Sequence, residues 1–190
     1  MRPENKAERE AQIAEAAYAV LAEKGFAGLS MLAVAKRAKA SNETLYRWYG
    51  DKTGLFRALI LRNAAQVTDR LDALPVARVS LEDLGAALLD MLLSERAVAL
   101  NRAAAADASN TLGPVLAEAG RGTVFPRLQA VFQQLDAAGS LRLQPAEAAA
   151  LWVDLLVGDW QLRLVTAAMA APDAAARAAR VRRAAQGVLI

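Results

Sequence analysis

The sequence predicts an all-α protein, and two observations carry that expectation. Of its 190 residues 55% are hydrophobic but only 5% aromatic, much of the apolar share is alanine, and only six prolines interrupt it; that mixture favours long helices. Apolar residues also recur at three- and four-residue spacing, the period of a helix with one buried face. The length suits one compact unit or a small domain attached to a larger one.

The first helix is expected from Glu8 to Lys24, where Ile13, Ala16, Ala17, Val20 and Leu21 form one apolar stripe and Gly25 stands ready as a left-handed C-cap. Ser30 is an N-cap for a second, short helix, MLAVAKRA, with Leu32, Val34 and Ala35 inward and Lys36 and Arg37 outward. That helix ends near Ala38, and Ser41 caps a third, read from the stretch SNETLYRWYGDK. Helix, a short turn, then helix are the proportions of a helix-turn-helix, whose second helix enters the DNA major groove. Three of the ten aromatic residues crowd into this third helix. Leu45 and Tyr49, four apart, suit its inward face; Tyr46 and Trp48 fall on the flanks, where a phenol or indole can donate to phosphate or simply pack.

A fourth helix is expected from Lys52 to about Leu74, stopped by Pro75. Further helices are expected near 80–94, 96–109, 112–119, 122–138, 145–170 and 173–188, with breaks at Gly113-Pro114, Gly120, Gly139-Ser140, Pro145 and Pro172. No repeat or flexible linker is visible.

Charge points to the N-terminal part as the nucleic-acid side. Residues 1–62 carry eleven Lys or Arg against seven acids, while residues 63–190 carry twelve against thirteen, and all five lysines lie within the first 52 positions. A local basic patch is the footprint of phosphate contact, although a solvated helical face gives the same signal. There is neither cysteine nor histidine. Disulfides, zinc-thiolate sites, thiol nucleophiles and the usual general base are thereby excluded, so the chain is not expected to be an enzyme or to hold a metal or cofactor. The only catalytic alternative is a carboxylate such as Asp107 or Asp159 with a raised pKa. The opening MRPENKAEREAQI is charged and no apolar run of about 18 residues follows, so neither signal peptide nor membrane span is expected and the protein is read as cytoplasmic.

From Ile13 to Ile60, and above all in LSMLAVAKRAKASNETLYRWYGDKTGLFRALI, the chain resembles the N-terminal domain of TetR-family transcriptional regulators, through Ser30, Ser41, Thr44, Leu45, Tyr46, Tyr49, Lys52, Leu55 and Phe56. The stretch LWVDLLVGDWQLRLV resembles the C-terminal domain of the AefR-like branch. The resemblance implies a helix-turn-helix DNA-binding domain over residues 1–51 and a helical effector-binding and dimerisation domain over 52–190. It puts Ser30, Ser41, Thr44, Tyr46 and Lys52 on the phosphate backbone and makes Asn42, Glu43 and Arg47 candidates for base edges; Lys39 and Trp48, which depart from the family pattern, are added as candidates for DNA contact on their own chemistry. Arg47 is the candidate for guanine, although an arginine so far along the helix could equally touch phosphate, and Glu43 is the candidate for a cytosine amino group. Lys39 stands where the family usually has glycine; a left-handed backbone there would cost about 1 kcal/mol.

For the body, the resemblance implies a subunit contact through the last helices, with Leu151, Leu155, Gly158, Leu162, Val181, Ala185 and Val188 as candidates. It also implies an effector pocket. Candidates for its wall are Val67, Leu88, Met91, Leu100, Phe125, Phe132, Trp152 and Leu156, with Asn101, Gln129, Asp107 or Asn110 as polar contacts; core packing is the competing role of each. Asp159 and Arg163 read as a helix-surface ion pair. The expected partners are thus double-stranded DNA with a palindromic operator, a second copy of the chain, and a hydrophobic effector that releases a repressor. In the alternative reading the body only dimerises or docks a protein, without an effector.

Overall fold

Serine caps set the start of the two shortest N-terminal helices. Ser30 Oγ accepts from the Ala33 amide at 3.1 Å and Ser41 Oγ from the Thr44 amide at 3.0 Å, each satisfying an amide that a helix start leaves unpaired. The computed structural model describes residues 3–73 and 80–190, the side chains of 3–5, 66 and 73 apart. Among these, the helices are α1 (Pro3–Gly28), α2 (Met31–Arg37), α3 (Asn42–Tyr49), α4 (Lys52–Ala73), α5 (Leu81–Leu92), α6 (Glu95–Ala105), α7 (Leu112–Leu116), α8 (Gly122–Ala137), α9 (Pro145–Val157), α10 (Trp160–Val165) and α11 (Ala174–Val188). One isolated bridge, Leu141 to Leu189, is the nearest approach to a strand. The expected end of the fourth helix at Leu74 and its stop at Pro75 lie outside the described residues.

The chain forms two compact units. The first comprises residues up to 62 together with 99–119, the second 63–98 together with 120–190; this division does not follow the one expected at 51/52. In the first unit the α1 stripe is buried as the periodicity requires, with Ile13 and Ala17 fully covered beside Val34, Leu45, Leu55, Phe56 and Leu100. Gly25, at φ 64° and ψ −175°, kinks α1, which runs on to Gly28; the positive φ suits glycine, but this is not the left-handed C-cap expected to end the helix there. Tyr18 donates its hydroxyl to the Leu59 carbonyl, tying α1 to α4. Phe26 meets Phe56 edge-on at 5.4 Å. One inward position differs from expectation. Met31 is buried, whereas Leu32 is 53% exposed, because a two-turn helix leaves its apolar phase ambiguous by one residue.

Asp107 closes the first unit. Its carboxylate accepts from the amides of Ser109, Thr111 and Leu112 and from the hydroxyls of Ser109 and Thr111. These hydrogen bonds, the Ser109 hydroxyl foremost, hold its pKa far below the usual carboxylate range. A group so firmly ionised is the opposite of the raised acid that catalysis would need.

In the second unit α11 packs on α9 and α5, and α8 on α9. Leu84, Leu88, Leu89, Phe132, Trp152, Leu156 and Ala184 form its centre. Gly85 permits the close approach of α5: a Cβ there would stand 3.3 Å from Trp152 Cζ2 and from Val181 Cγ1. The helix expected over 145–170 is instead divided. Gly158 has φ +48°, and a Cβ there would overlap the Arg180 guanidinium. Arg180 itself donates to the Leu155 carbonyl and stacks over the Trp160 ring at 4.2 Å. Conversely, no break occurs at Gly120, where the chain continues from α7 into α8 through a π-helical turn, Ala117–Arg121.

Candidate nucleic-acid interface

The third helix exposes a polar, N-terminal turn around one buried anchor. Leu45 is completely covered, while Ser41, Asn42, Glu43 and Arg47 are exposed and Tyr46 is 51% exposed. The anchor sets the rotation of the helix, so the residues one and two positions either side must face outward. Ser41 and Thr44 hydroxyls are 2.7 Å apart, and Thr44 is half-buried. Ser30, exposed, uses its oxygen as acceptor for the cap, and its hydroxyl hydrogen remains a possible donor to phosphate.

The flanking aromatics and lysines divide in role. Trp48 is half-buried, with Lys6 Nζ 5.8 Å from its ring and Tyr49 edge-on at 6.4 Å. Tyr49 is also half-buried rather than fully inside; burial first, then Glu10, raises its phenol pKa. Lys52, assigned to phosphate by resemblance, sits 3.8 Å over the Phe26 ring. Burial lowers its pKa, against the opposing charge of Asp107, so the cation is already engaged in the first unit. Lys39 is exposed with φ 51°, the left-handed geometry that glycine would adopt without strain.

Arg9 was not legible as part of this region. Its guanidinium donates to the carbonyls of Ala38 at 3.3 Å and Lys39 at 2.5 Å, and to Gln12 Oε1 at 2.8 Å. The only hint in the sequence is its place one turn before Ile13, at the edge of the buried stripe.

The candidates in the body fall into separate settings. Leu100 belongs to the core of the first unit; Val67, Leu88, Phe132, Trp152 and Leu156 belong to that of the second. Met91, Phe125, Gln129 and Asn101 are half-buried, and Arg121 covers the Phe125 ring at 4.1 Å. Asp107 is committed to its cap, and Asn110 is exposed at φ 57° in the same loop. Trp152 Nε1 is buried without a hydrogen-bond partner. Among the candidates for a subunit contact, Leu162 is 65% exposed, Gly158 is exposed, and Leu151 and Leu155 are half-buried. Val181, Ala185 and Val188 correct the expectation: all three are buried in the second unit's own core, because the apolar stripe of α11 is used against α9 and α5. Asp159 and Arg163 form the expected surface pair at 3.7 Å.

A capped helix-turn-helix with an exposed recognition turn, followed by a helical second unit, defines a DNA-binding regulator. Residues 13–59 match the model for bacterial regulatory proteins of the tetR family, and residues 79–189 match that of the AefR-like transcriptional repressor C-terminal domain. The chain belongs to the TetR family of transcriptional regulators, a family of transcription factors rather than enzymes. It is 38% identical over 72 residues to YdeS, named as an uncharacterized HTH-type transcriptional regulator, of Bacillus subtilis (strain 168); the match spans 38% of this chain and 34% of YdeS. A TetR transcriptional regulator from Agrobacterium tumefaciens is 27% identical with a TM-score of 0.75, covering 100% of this chain and 96% of that one. The flavonoid-responsive regulator FrrA is 26% identical with a TM-score of 0.67, covering 95% of each. No described helix is long and apolar enough to cross a membrane.

Proposed function

We propose that the protein is a homodimeric repressor that binds a palindromic operator in the cytoplasm and is released by a small hydrophobic effector. The observation that carries the DNA half is the exposed recognition turn: Asn42, Glu43 and Arg47 surround the fully buried Leu45, so their polar groups are available to base edges. Ser30, Lys39, Ser41, Thr44 and Tyr46 serve the phosphates, with Trp48 at the flank. Lys52 serves them too, its cation lying over the Phe26 ring. Two such helices read a palindrome when subunits place them one helical turn apart. Exposed Leu162, with half-buried Leu151, Leu155 and Trp160, supports a subunit contact on α9 and α10.

The effector half rests on Trp152. An indole N–H buried without an acceptor costs about 1–3 kcal/mol, and a ligand offering one carbonyl or ether oxygen would recover it. The surroundings, Leu88, Phe132 and Leu156, are apolar. An uncharged aromatic compound with such an acceptor fits, and the flavonoid response of FrrA lies in that class.

Fluorescence anisotropy with labelled DNA from upstream of its own gene, against unrelated competitor at physiological salt, tests this reading. Preferential binding is expected, and Arg47→Ala should lower discrimination between sequences by about 1–3 kcal/mol rather than weaken all of them alike. A panel of flavonoids should then dissociate the complex. Equal, weak binding to every duplex would overturn the operator assignment. Flavonoids that bind without changing operator affinity would remove the effector's regulatory role, since release requires different affinities for two conformations.

A further inference from the structure

The turn between α2 and α3 ends α2 in a recognisable motif. The Lys39 amide donates to the Lys36 carbonyl at 3.3 Å and the Ala40 amide to the Ala35 carbonyl at 2.9 Å, the two hydrogen bonds of a Schellman cap with Lys39 as its left-handed residue. Glycine normally fills that place, and a lysine there bears strain. The Ala38 and Lys39 carbonyls, at and just past the last helical turn, both face Arg9 of α1. A cation at a helix C-terminus is favoured by the dipole, and a planar guanidinium can reach two carbonyls at once where an ammonium cannot match the geometry.

We propose that Arg9 is a positioning residue for DNA binding: by bonding the Ala38 and Lys39 carbonyls it holds the strained turn in its left-handed form, which aims the exposed Lys39 and places Ser41, the N-cap of α3, two residues later. It acts through the turn rather than on phosphate, because its guanidinium is spent on carbonyls and on Gln12. The inference rests on the DNA-binding reading but needs no operator, since backbone contacts suffice to reveal it.

The test is a cycle of Arg9→Gln, Lys39→Gly and the double variant, with Arg9→Lys as a fourth protein, titrated against a fluorescein-labelled mixed-sequence duplex. All are compared at a temperature where circular dichroism shows each one folded. Arg9→Gln should weaken duplex binding about tenfold alone but less than about twofold when Lys39→Gly is present, because glycine keeps the turn without help. Arg9→Lys should behave like Arg9→Gln. A phosphate-contacting Arg9 would instead reduce the salt slope by about 0.9 on its own, be rescued by lysine and lose as much affinity in both backgrounds; any of these overturns the proposal. Hydrogen exchange at the Ala40 amide reads the same cycle without DNA: faster in Arg9→Gln, restored by Lys39→Gly. Unchanged exchange in Arg9→Gln overturns the proposal. A parent protein that failed to bind the duplex would count against the nucleic-acid reading, and the exchange data would still decide the role of Arg9.

Discussion

Gly54→Ala is expected to destabilise the first unit by about 3 kcal/mol, the upper end of what overpacking usually costs, and to abolish DNA binding at concentrations that saturate the parent. Gly54 lies in the first turn of α4, where its amide donates to Asp51 Oδ1 at 2.7 Å. A Cβ added there would overlap the carbonyl oxygen of Tyr49, the last residue of α3. The obstructing atom is backbone, so no side-chain rotation relieves the clash. Either α4 loses its first turn or α3 tilts, and a tilt of α3 carries Asn42, Glu43 and Arg47 with it. Gly113→Ala is the control: nothing lies within 4 Å of the added Cβ, and a small gain of about 0.4–1 kcal/mol is expected there. Urea unfolding and duplex titration of the two variants measure the difference. If both melt and bind alike, α3 and α4 are less rigidly joined than this geometry requires.

The second large effect is expected at Trp152, which is completely buried against Phe132 at a centroid distance of 5.8 Å. Trp152→Ala should cost about 3–5 kcal/mol in the second unit through the cavity it leaves. Trp152→Phe should cost far less, within about 1 kcal/mol of the parent, because it removes an unpartnered donor while keeping most of the ring. Urea denaturation of both variants checks this. A phenylalanine variant as damaged as the alanine one would mean that the indole N–H is satisfied in solution, and would weaken its assignment to an effector. Where a flavonoid binds the parent, the phenylalanine variant should bind it less tightly.

The parts of the molecule legible in the sequence are those fixed locally. Ser30 and Ser41 cap through residues three positions on, and the α1 stripe is set by helical period; the left-handed backbone at Lys39 is marked only by resemblance, through the glycine usual at that place. The rest depends on distant partners. The apolar pattern runs unbroken through Gly158, whose positive φ divides the helix there, and the Arg180 guanidinium beside it comes from a residue some twenty positions later. Val181, Ala185 and Val188 read as a stripe of small and branched residues whether they face another subunit or their own core. Resemblance alone marks Lys52 as a phosphate ligand, and that its cation also lies over Phe26 depends on a residue distant in sequence. The contacts of Arg9 are hidden in the sequence for the same reason, since its acceptors lie 29 and 30 residues away.

The pairing of Gly158 with Arg180 reaches beyond this one molecule, into how its relatives can diverge. The guanidinium occupies the space that any side chain at 158 would need, and the positive φ already favours glycine. Two separate demands meet at this position. The backbone needs a positive φ, which no change at 180 relieves, and any Cβ would make the guanidinium swing aside and give up its stacking on Trp160. A relative without glycine here is therefore expected to have lost the break between α9 and α10, whatever side chain it carries at 180.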